Sequence, residues 1–363
     1  MKAFSSLLSS FKSKPSISAG VVGVDIGSSS IKVVELQDRK GVLTLATYGE
    51  VQLGPYAKDK IGRSVSLEPE QEQAALVDVI RESAVKARSA VFAMPLSSSF
   101  VTNVSLDADA DADLASMVRV EARKVIPASL SEVTLDWAEV EVSQEEASHS
   151  ETNRRNVLIA AIQNQALERF KVLMQFAGLT DPPTEIECFS TLRGTFKSDL
   201  ENVVIVDIGA VSSKMYIARK GLLMRMHRIR SGGATATDKI SKTLEVDFET
   251  AEELKYQADP NHESFVELKR AHNSSYERAF REFSQVLREY EQRTGHTFDE
   301  IYLTGGGALF PGTDKLLADT LNRGVVLASP FSKVAYPAFM DDTIKSIEPS
   351  FTVALGAALR LFE

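Results

Sequence analysis

The sequence predicts an α/β protein built from two similar lobes, and three observations support this fold. The chain has 363 residues, which is long enough for two or three domains. Short apolar strands alternate with helical segments through both halves. A strand–turn–strand segment in the first half returns in the second half, so we expect a duplicated unit.

In the first half, the expected strands are apolar runs bounded by turn residues. They are Val21–Ile26, Ile31–Leu36, Gly41–Tyr48, Val91–Met94, Phe100–Leu106, Val133–Val142 and Asn156–Ala161. Helices are expected over residues 68–88, from Leu114 to the position before Pro127, and over Ala166–Ala177. The acidic run Asp107–Asp113 lacks the glycine and distal glutamate of a calcium loop, so we interpret it as a cap for the second helix.

The second half repeats this order of elements. Its expected strands are Asn202–Ile208, Lys214–Arg219, Gly221–Ile229 and Glu300–Leu303. Residues 234–295 are mostly helical and strongly charged, and further helices are expected at Thr313–Thr320 and Thr352–Leu361. A polar, charged loop at Ser143–Arg155 separates two strands of the first half.

Composition excludes several classes of protein. The formal net charge is -9, which argues against a nucleic-acid binder with a basic face. Cys188 is the single cysteine, so an intrachain disulfide is impossible, and this fits a reducing cytoplasm. The five histidines show no zinc-ligand spacing. No apolar run approaches the length of a membrane span, and the N-terminus does not resemble a signal peptide.

Residues 1–19 are expected to form a flexible, Ser-rich tail. An alternative stays open, because one apolar helical stripe runs through this tail with lysines beside it. Its members are Phe4, Leu7, Leu8 and Phe11. The tail would then be a weak membrane-surface or partner helix.

The repeat joins Val24–Leu36 to Val206–Ala218 at a constant offset of 182 residues. Val, Asp, Ile and Gly match as a block, and the following Ser and Lys match at equal offsets. A long-period repeat of this kind indicates a duplicated structural unit. Two copies of a strand–turn–strand segment with the same polar residues are hard to explain by chance.

The residue types of the two hairpin turns predict phosphate binding. Turns of Gly and Ser expose backbone N–H groups, which together with the hydroxyls form a nest for phosphate oxygens. The turn residues are Gly27, Ser28, Ser29 and Ser30 in the first copy and Gly209 and Ala210 in the second. Asp25 and Asp207 end the preceding strands, where each can hold Mg²⁺ through water. Each repeat also carries a lysine, Lys32 or Lys214, which could face either the phosphates or the solvent. Two ordinary hairpins in a duplicated fold remain the alternative.

Three further groups of residues are expected around the same ligand. The turn Gly305, Gly306 and Gly307 follows a strand, where the backbone could pass close to a purine and ribose. Gly232 and Gly233, together with the helix Ala251–Lys255, supply polar groups from another side.

The order of these motifs is similar to the actin/Hsp70/hexokinase superfamily. Within it, the sequence resembles the PilM family of type IV pilus assembly proteins, which is related to the division protein FtsA. The resemblance rests on GVDIGSSSIKVVEL, AMPL, VRVEARKVIP, VDIGA, AEELK and LTGGGA, and it covers roughly residues 20–363. It implies an actin-like ATPase fold with ATP and Mg²⁺ between two RNase H-like lobes and a small inserted α/β subdomain.

The resemblance also implies roles for single residues. Lys32 joins the first phosphate hairpin, and Glu187 takes the catalytic position that orients the attacking water or metal. Glu252 and Lys255 match ribose and purine contacts, and Gly305–Gly307 match the adenosine turn. Val211 departs from the family's pattern in the second hairpin, and Cys188 replaces the proline that follows Glu187 in many members.

The implied division of the chain has an inserted subdomain in the first lobe and a helical subdomain in the second. The first lobe comprises residues 20–88, 163–195 and 340–363; the inserted subdomain is 89–162; the second lobe is 196–231 and 300–339; the helical subdomain is 232–299.

The resemblance implies a cytoplasmic scaffold of the inner-membrane pilus platform, with at most slow ATPase activity. Its partner would be the cytoplasmic N-terminal peptide of a PilN-like bitopic membrane protein, bound in a groove beside the inserted subdomain. Strands near Phe100–Val104 and Val133–Val140 could line that groove. Membrane association would be indirect, other platform proteins would be partners, and self-assembly stays open.

Two rival functions remain at this stage. An FtsA-like division protein normally ends with a linker and an amphipathic helix, whereas this chain stops at Leu361-Phe362-Glu363, directly after the expected core helix. A sugar or acid kinase of the same superfamily needs a base for the substrate hydroxyl, and no spare aspartate in a kinase-like motif is evident.

Overall fold

The computed structural model describes residues 20–109, 112–140, 154–180, 184–196, 202–298 and 300–362. The expected tail, residues 1–19, and most of the expected loop 143–155 lie outside this part of the chain.

The first lobe is built on a five-stranded sheet with the order β3-β2-β1-β4-β8. Its strands are β1 (Val21–Ile26), β2 (Ser30–Arg39), β3 (Val42–Gln52), β4 (Ser89–Met94) and β8 (Glu185–Ile186). β1 pairs antiparallel with β2 and parallel with β4. The central strands β1 and β4 are buried almost throughout because their apolar residues are covered on both faces, whereas β3 is largely exposed or half-buried.

The second lobe has a five-stranded sheet of the same plan, with the order β11-β10-β9-β12-β13. Its strands are β9 (Asn202–Ile208), β10 (Ser213–Arg219), β11 (Leu222–Ile229), β12 (Glu300–Thr304) and β13 (Val325–Leu327). The register repeats as well, because Asp25 lies opposite Lys32 and Asp207 lies opposite Lys214. The predicted duplication is therefore present in three dimensions.

A third sheet of three strands, in the order β5-β7-β6, forms the inserted subdomain. Its strands are β5 (Ser99–Asp107), β6 (Val133–Val140) and β7 (Arg154–Gln163). One face packs against helix α2 (Leu114–Val125), and residues of the other face, such as Leu158 and Ala160, join the core beneath the two lobes. Asp113 caps α2 by accepting a hydrogen bond from the Ser116 N–H at 3.2 Å, as the acidic run predicted.

The remaining helices surround the two large sheets. They are α1 (Pro69–Glu82), α3 (Asn164–Phe176), α4 (Glu187–Thr195), α5 (Gly233–Leu244), α6 (Phe248–Tyr256), α7 (Phe265–Ser274), α8 (Glu277–Thr294), α9 (Thr313–Leu321), α10 (Asp341–Ile347) and α11 (Thr352–Leu359). The predicted helical stretch 234–295 corresponds to α5 to α8.

Two expected boundaries are wrong. The insertion does not begin at residue 89, because Ser89–Met94 forms β4 in the middle of the first sheet; the insertion starts after Met94. Residues 330–339 were expected in the second lobe but pack on the first. Phe331 and Val334 are buried in the core cluster of β2 and α11, and Ala335 bridges to Thr44 of β3. A sequence pattern shows apolar segments but not the point where the chain crosses from one lobe to the other.

Within the described residues, no helix combines the length and apolar character needed to cross a membrane.

Candidate functional site between the lobes

The two predicted hairpin turns close in the same way. The Gly27 N–H donates to the Ser30 carbonyl at 2.9 Å, and the Gly209 N–H donates to the Ser212 carbonyl at 3.0 Å. Each turn follows the end of a central strand, β1 or β9, so both turns lie at the same end of their sheets.

The carbonyl oxygens of both turns are already hydrogen-bonded within their own lobes. In the first turn, Ser28 accepts from the Val65 N–H at 3.0 Å and Ser29 from the Leu53 N–H at 2.8 Å. In the second turn, the carbonyls of Gly209 and Ala210 each accept from the first amides of α5 at 2.9 Å. Since carbonyl oxygens would repel a phosphate, their engagement elsewhere fits turns that offer N–H groups to an anion.

Gly232 allows the close approach of α5 to the second turn. A Cβ at this position would overlap the carbonyl oxygens of Gly209 and Ala210. Gly232 therefore supports the second turn through close backbone packing and Gly233 through its N–H, and their contacts with a ligand stay a prediction.

A buried ion cluster lies beneath the turns. The Lys214 Nζ is 3.2 Å from Asp207 Oδ2 and 2.9 Å from Glu187 Oε2, so it joins the second lobe to the start of α4 in the first. Burial alone would lower the pKa of Lys214, but the two carboxylates raise it well above its usual value. The ammonium is therefore charged, and it neutralises part of the negative charge between the lobes.

Asp25 faces the same cluster from the first lobe. Burial raises the pKa of its carboxyl from 3.8 to about 6, although Lys32 opposes the shift. The carboxylates of Glu187 and Asp207 add to the increase. A bound cation would relieve this unfavourable arrangement.

We expect Asp25→Asn to change how stability depends on pH. The folded-state pKa of Asp25, about 6, lies above its usual value, so between about pH 4 and 6 the folded protein holds a proton that the unfolded chain has released. This contribution to the free energy of unfolding is present at about pH 4 and is lost as the pH rises to about 6. Urea denaturation across this range should show wild type losing stability relative to Asp25→Asn. A difference that stays constant with pH would contradict the expectation.

The two repeat lysines have different partners. Lys32 lies 2.9 Å from Glu50 Oε1 on the neighbouring strand and donates to Ser30 Oγ at 2.7 Å. Lys214 has Arg228 as its neighbour on the equivalent strand, and its ammonium contacts Asp207 and Glu187 instead. The spacing had left the direction of both lysines open. The structure places Lys214 in the site, although it was absent from the predicted site residues. Its match to Lys32 in the repeat was the sequence feature that could have identified it.

Glu187 has both carboxylate oxygens engaged. Oε2 accepts from Lys214, and Oε1 accepts from the Leu96 N–H at 2.8 Å. The Leu96 amide was not predicted to take part, because a backbone group leaves no mark in a sequence.

The turn Gly305–Gly307 lies directly against the end of β9. Gly305 has a φ of 85°, and a Cβ there would be 2.5 Å from Asp207 Oδ1. A Cβ at Gly307 would overlap Ile208, whereas Gly306 is exposed and a Cβ there would meet nothing. The turn therefore leaves an open backbone surface beside Asp207, which fits a flat ligand ring.

Glu252 and Lys255 form a network at the N-terminal end of α5. Lys255 Nζ lies 2.6 Å from Glu252 Oε2 and donates to Thr237 Oγ1 at 2.7 Å. A segment of the first lobe reaches this network, because a Cβ at Gly62 would overlap the Glu252 carboxylate. Arg63 adds an ion pair to Asp238 at 3.2 Å. The structure thus brings the predicted residues of both lobes together where the lobes meet, and we refer to this region as the cleft.

Among the described residues, no group of three His, Cys, Asp or Glu side chains is arranged to hold a metal directly. That Asp25 and Asp207 hold a Mg²⁺ ion through water stays a prediction.

The chain matches the model of one protein family over almost its whole length. The family model described as type IV pilus assembly protein PilM matches residues 23–362. This chain belongs to the PilM family. The match identifies a type IV pilus assembly protein, which favours this interpretation over the FtsA-like and kinase alternatives.

Solved structures show the fold. A PilM–PilN type IV pilus biogenesis complex is 23% identical, with a TM-score of 0.77 over 94% of this chain and 98% of that chain. The ethanolamine utilization protein EutJ of Carboxydothermus hydrogenoformans is 16% identical, with a TM-score of 0.54 over 93% of this chain and 88% of that one. MreB5 of Spiroplasma citri bound to AMPPNP is 13% identical, with a TM-score of 0.52 over 93% and 94%. This PilM-family chain therefore has the actin-like α/β fold that the sequence predicted.

Proposed function

We propose that this PilM-family protein binds Mg-ATP between its lobes and docks the cytoplasmic N-terminal peptide of a PilN-like membrane protein. The nucleotide part rests on the cleft and on the MreB5 structures bound to AMPPNP and ADP. The peptide part rests on the family and on the similar PilM–PilN complex. Such a protein would work in the cytoplasm and reach the inner membrane through its partner.

Different residues of the cleft would bind different parts of the nucleotide. The N–H groups of the two turns other than those of Gly27 and Gly209 would bind the phosphates, and Asp25 and Asp207 would hold water molecules on Mg²⁺. Mg²⁺, when bound, supplies positive charge to the phosphate oxygens. Glu187 is the candidate for orienting water. Because Lys214 and the Leu96 amide both occupy its carboxylate, we infer slow hydrolysis at most.

A groove lies where the inserted subdomain meets the first lobe, between α1 and α3. Its volume is about 530 Å³. The lining residues are Pro69, Glu72, Gln73, Ser98, Gln163, Gln165, Ala166, Arg169, Val172 and Leu173. Val172 is 51% exposed, and Phe176, one helical turn further along α3, is 63% exposed. The apolar surface of the groove thus continues along α3.

The chemistry of the groove suits an extended peptide. Three glutamine side chains line it, and an amide can both donate to and accept from a peptide backbone. Apolar side chains of the peptide would cover Val172 and Leu173. Glu72 is fixed by Arg169, whose guanidinium makes paired hydrogen bonds to the carboxylate, one of them at 2.7 Å from Nε. The wall of the groove is therefore held in place before the peptide arrives.

This location differs from the one expected from sequence. Phe100, Val104, Leu135 and Trp137 pack against the core of α2 within the inserted subdomain. We therefore place the peptide at the base of the subdomain, where Ser98 precedes β5 and Gln163 ends β7, rather than along the strands themselves.

Val172→Asp tests the peptide site. Losing the contact of one valine costs about 1.5 kcal/mol or more, and the new charge adds a desolvation cost, so we expect peptide affinity to fall at least about ten-fold. Binding of a fluorescent synthetic peptide from the N-terminus of the organism's own PilN-like protein gives the measurement.

The matched control is Val120→Asp. Val120 is 54% exposed on α2 and lies outside the groove, so this variant introduces the same charge on a similarly exposed helix position. It should bind the peptide like wild type. Equal affinity of Val172→Asp and wild type, or equal losses in both variants, would argue against the groove.

A further inference from the structure

The carboxylate of Glu187 lies between the cleft and the inserted subdomain. On one side it accepts from Lys214, which also contacts Asp207 at the end of β9. On the other side it accepts from the Leu96 N–H, in the segment that leaves β4 and enters the insertion. Glu187 is 9% exposed, and the side chain of Lys214 is 11% exposed, so both bonds are shielded from water.

The segment that follows Leu96 builds one end of the groove. The Ser98 N–H and hydroxyl both contact the Pro95 carbonyl at 3.1 Å, which closes a tight turn around Leu96. The Ser98 carbonyl accepts from the Gln163 N–H at 3.0 Å. Since Ser98 and Gln163 both line the groove, a shift of Leu96 is carried into the groove wall by hydrogen bonds.

Within the part of the chain that the structure describes, the lysine of the first hairpin makes no equivalent contact with Glu187. This lysine, Lys32, is paired with Glu50 inside the first sheet. The duplicated unit therefore carries two lysines at matched positions, and the one in the second lobe contacts the carboxylate that holds the base of the insertion.

We propose that the chain Lys214–Glu187–Leu96 couples the nucleotide cleft to the peptide groove. The proposal rests on the function proposed above and assigns a route to its regulation. Glu187 acts here as a positioning residue, and its hydrogen bond sets the place of the turn that ends in Ser98.

Charge competition supplies the physical basis. Lys214 divides its ammonium between two buried carboxylates, Asp207 and Glu187. A cation bound near Asp207 would neutralise part of the negative charge of its carboxylate. The attraction between Asp207 and Lys214 would then weaken, and Lys214 would move toward Glu187. The ion pair between Lys214 and Glu187 Oε2 would become stronger. This would shift the carboxylate and change the hydrogen bond between its Oε1 and the Leu96 N–H. The groove therefore has a different preferred shape in each state, and peptide affinity follows.

The experiment measures coupling as a ratio. Affinity for the PilN-like peptide is determined on the full chain without nucleotide and with saturating Mg-AMPPNP. We expect the two dissociation constants of wild type to differ about five-fold or more, and Mg-AMPPNP affinity to change by the same factor when peptide is present. In Lys214→Met the ratio should fall close to one. Lys345→Met is the control and should keep the wild-type ratio, because Lys345 lies on α10 and its exposed side chain is paired with Asp341.

Glu187→Gln serves as the second variant, since it keeps the shape of the side chain and leaves Lys214 paired with Asp207. It too should reduce the ratio. Hydrogen exchange of the segment around Leu96 gives a readout that does not need the peptide. Mg-AMPPNP should change the exchange of this segment in wild type and in Lys345→Met but not in Lys214→Met.

The outcomes separate the two proposals. A wild-type protein that binds neither ligand refutes the proposed function and the coupling with it. A protein that binds Mg-AMPPNP but not the peptide refutes the docking function, and hydrogen exchange near Leu96 still decides the route. A ratio near one in wild type, or a wild-type ratio retained in both Lys214→Met and Glu187→Gln, overturns the coupling.

Discussion

Replacing Asp207 with Ala is expected to weaken Mg-ATP binding by about 3 kcal/mol, or ~100-fold. Asp207 ends β9 and is buried, and its carboxylate contacts Lys214 and borders the Gly305 turn. Its removal takes away a charged group on which water ligands of Mg²⁺ would depend, and it leaves Lys214 with Glu187 alone. Loss of a charged hydrogen-bond set in a buried site accounts for an effect of this size.

Asp207→Asn separates charge from shape. It keeps the side-chain volume beside Gly305 but removes the negative charge, so most of the loss should already appear in this variant. The loss should shrink when binding is measured with the chelator EDTA in place of Mg²⁺, because only the metal-linked part depends on the charge.

Calorimetric titration with Mg-AMPPNP checks both variants, and Asp319→Asn is the control. Asp319 is exposed on α9 of the same lobe, and its replacement removes the same charge far from the turns. It should leave affinity unchanged within about two-fold, since a single exposed charge contributes little. Wild-type affinity in Asp207→Ala would show that the paired hairpins are ordinary structural turns.

Gly356→Ala is expected to destabilise the protein by about 3 kcal/mol or more. Gly356 lies in α11, which is buried along its whole length between the first sheet and α4. A Cβ at this position would overlap the Ser190 carbonyl, which is backbone and cannot rotate away. Overpacking of this kind costs ~1–3 kcal/mol and more where backbone must shift. The gain of about 1 kcal/mol in helix propensity is smaller, so the steric cost wins.

The substitution should also disturb the cleft, because α4 begins with Glu187. The Gly356 carbonyl also accepts a hydrogen bond from Arg193 Nη1 at 3.1 Å. Because Arg193 lies in α4, a displacement of α11 would also displace α4. Weaker Mg-AMPPNP binding should therefore accompany the loss of stability.

Chemical denaturation compares Gly356→Ala with Gly324→Ala. A Cβ at Gly324 would meet nothing within 4 Å, and this glycine does not have a positive φ. Gly324→Ala should stay within about 0.5 kcal/mol of wild type, as exposed substitutions usually do. If Gly356→Ala unfolded at the same denaturant concentration as wild type, the tight packing of α11 on α4 would be refuted.

Much of the cleft followed from the sequence because its parts are local. Each hairpin is a continuous stretch in which strand, turn and strand lie within about a dozen residues, and the repeat made the second copy visible from the first. The register that places Asp25 opposite Lys32 is set by the length of one turn. Gly305 was likewise recognisable, since a glycine-rich turn after a strand marks a close backbone approach.

The sequence by itself determined the duplicated α/β plan, the paired turns and the resemblance to the PilM family. Only the tertiary structure decided that Lys32 meets Glu50 while Lys214 meets Glu187, although their local sequences match. It also decided that residues 330–339 return to the first lobe, and that the groove lies at the base of the insertion between α1 and α3. The physical reason is the same in each case. The partner of a side chain, or the wall of a groove, comes from segments distant along the chain, and a local pattern records which residues will be buried but not what will cover them.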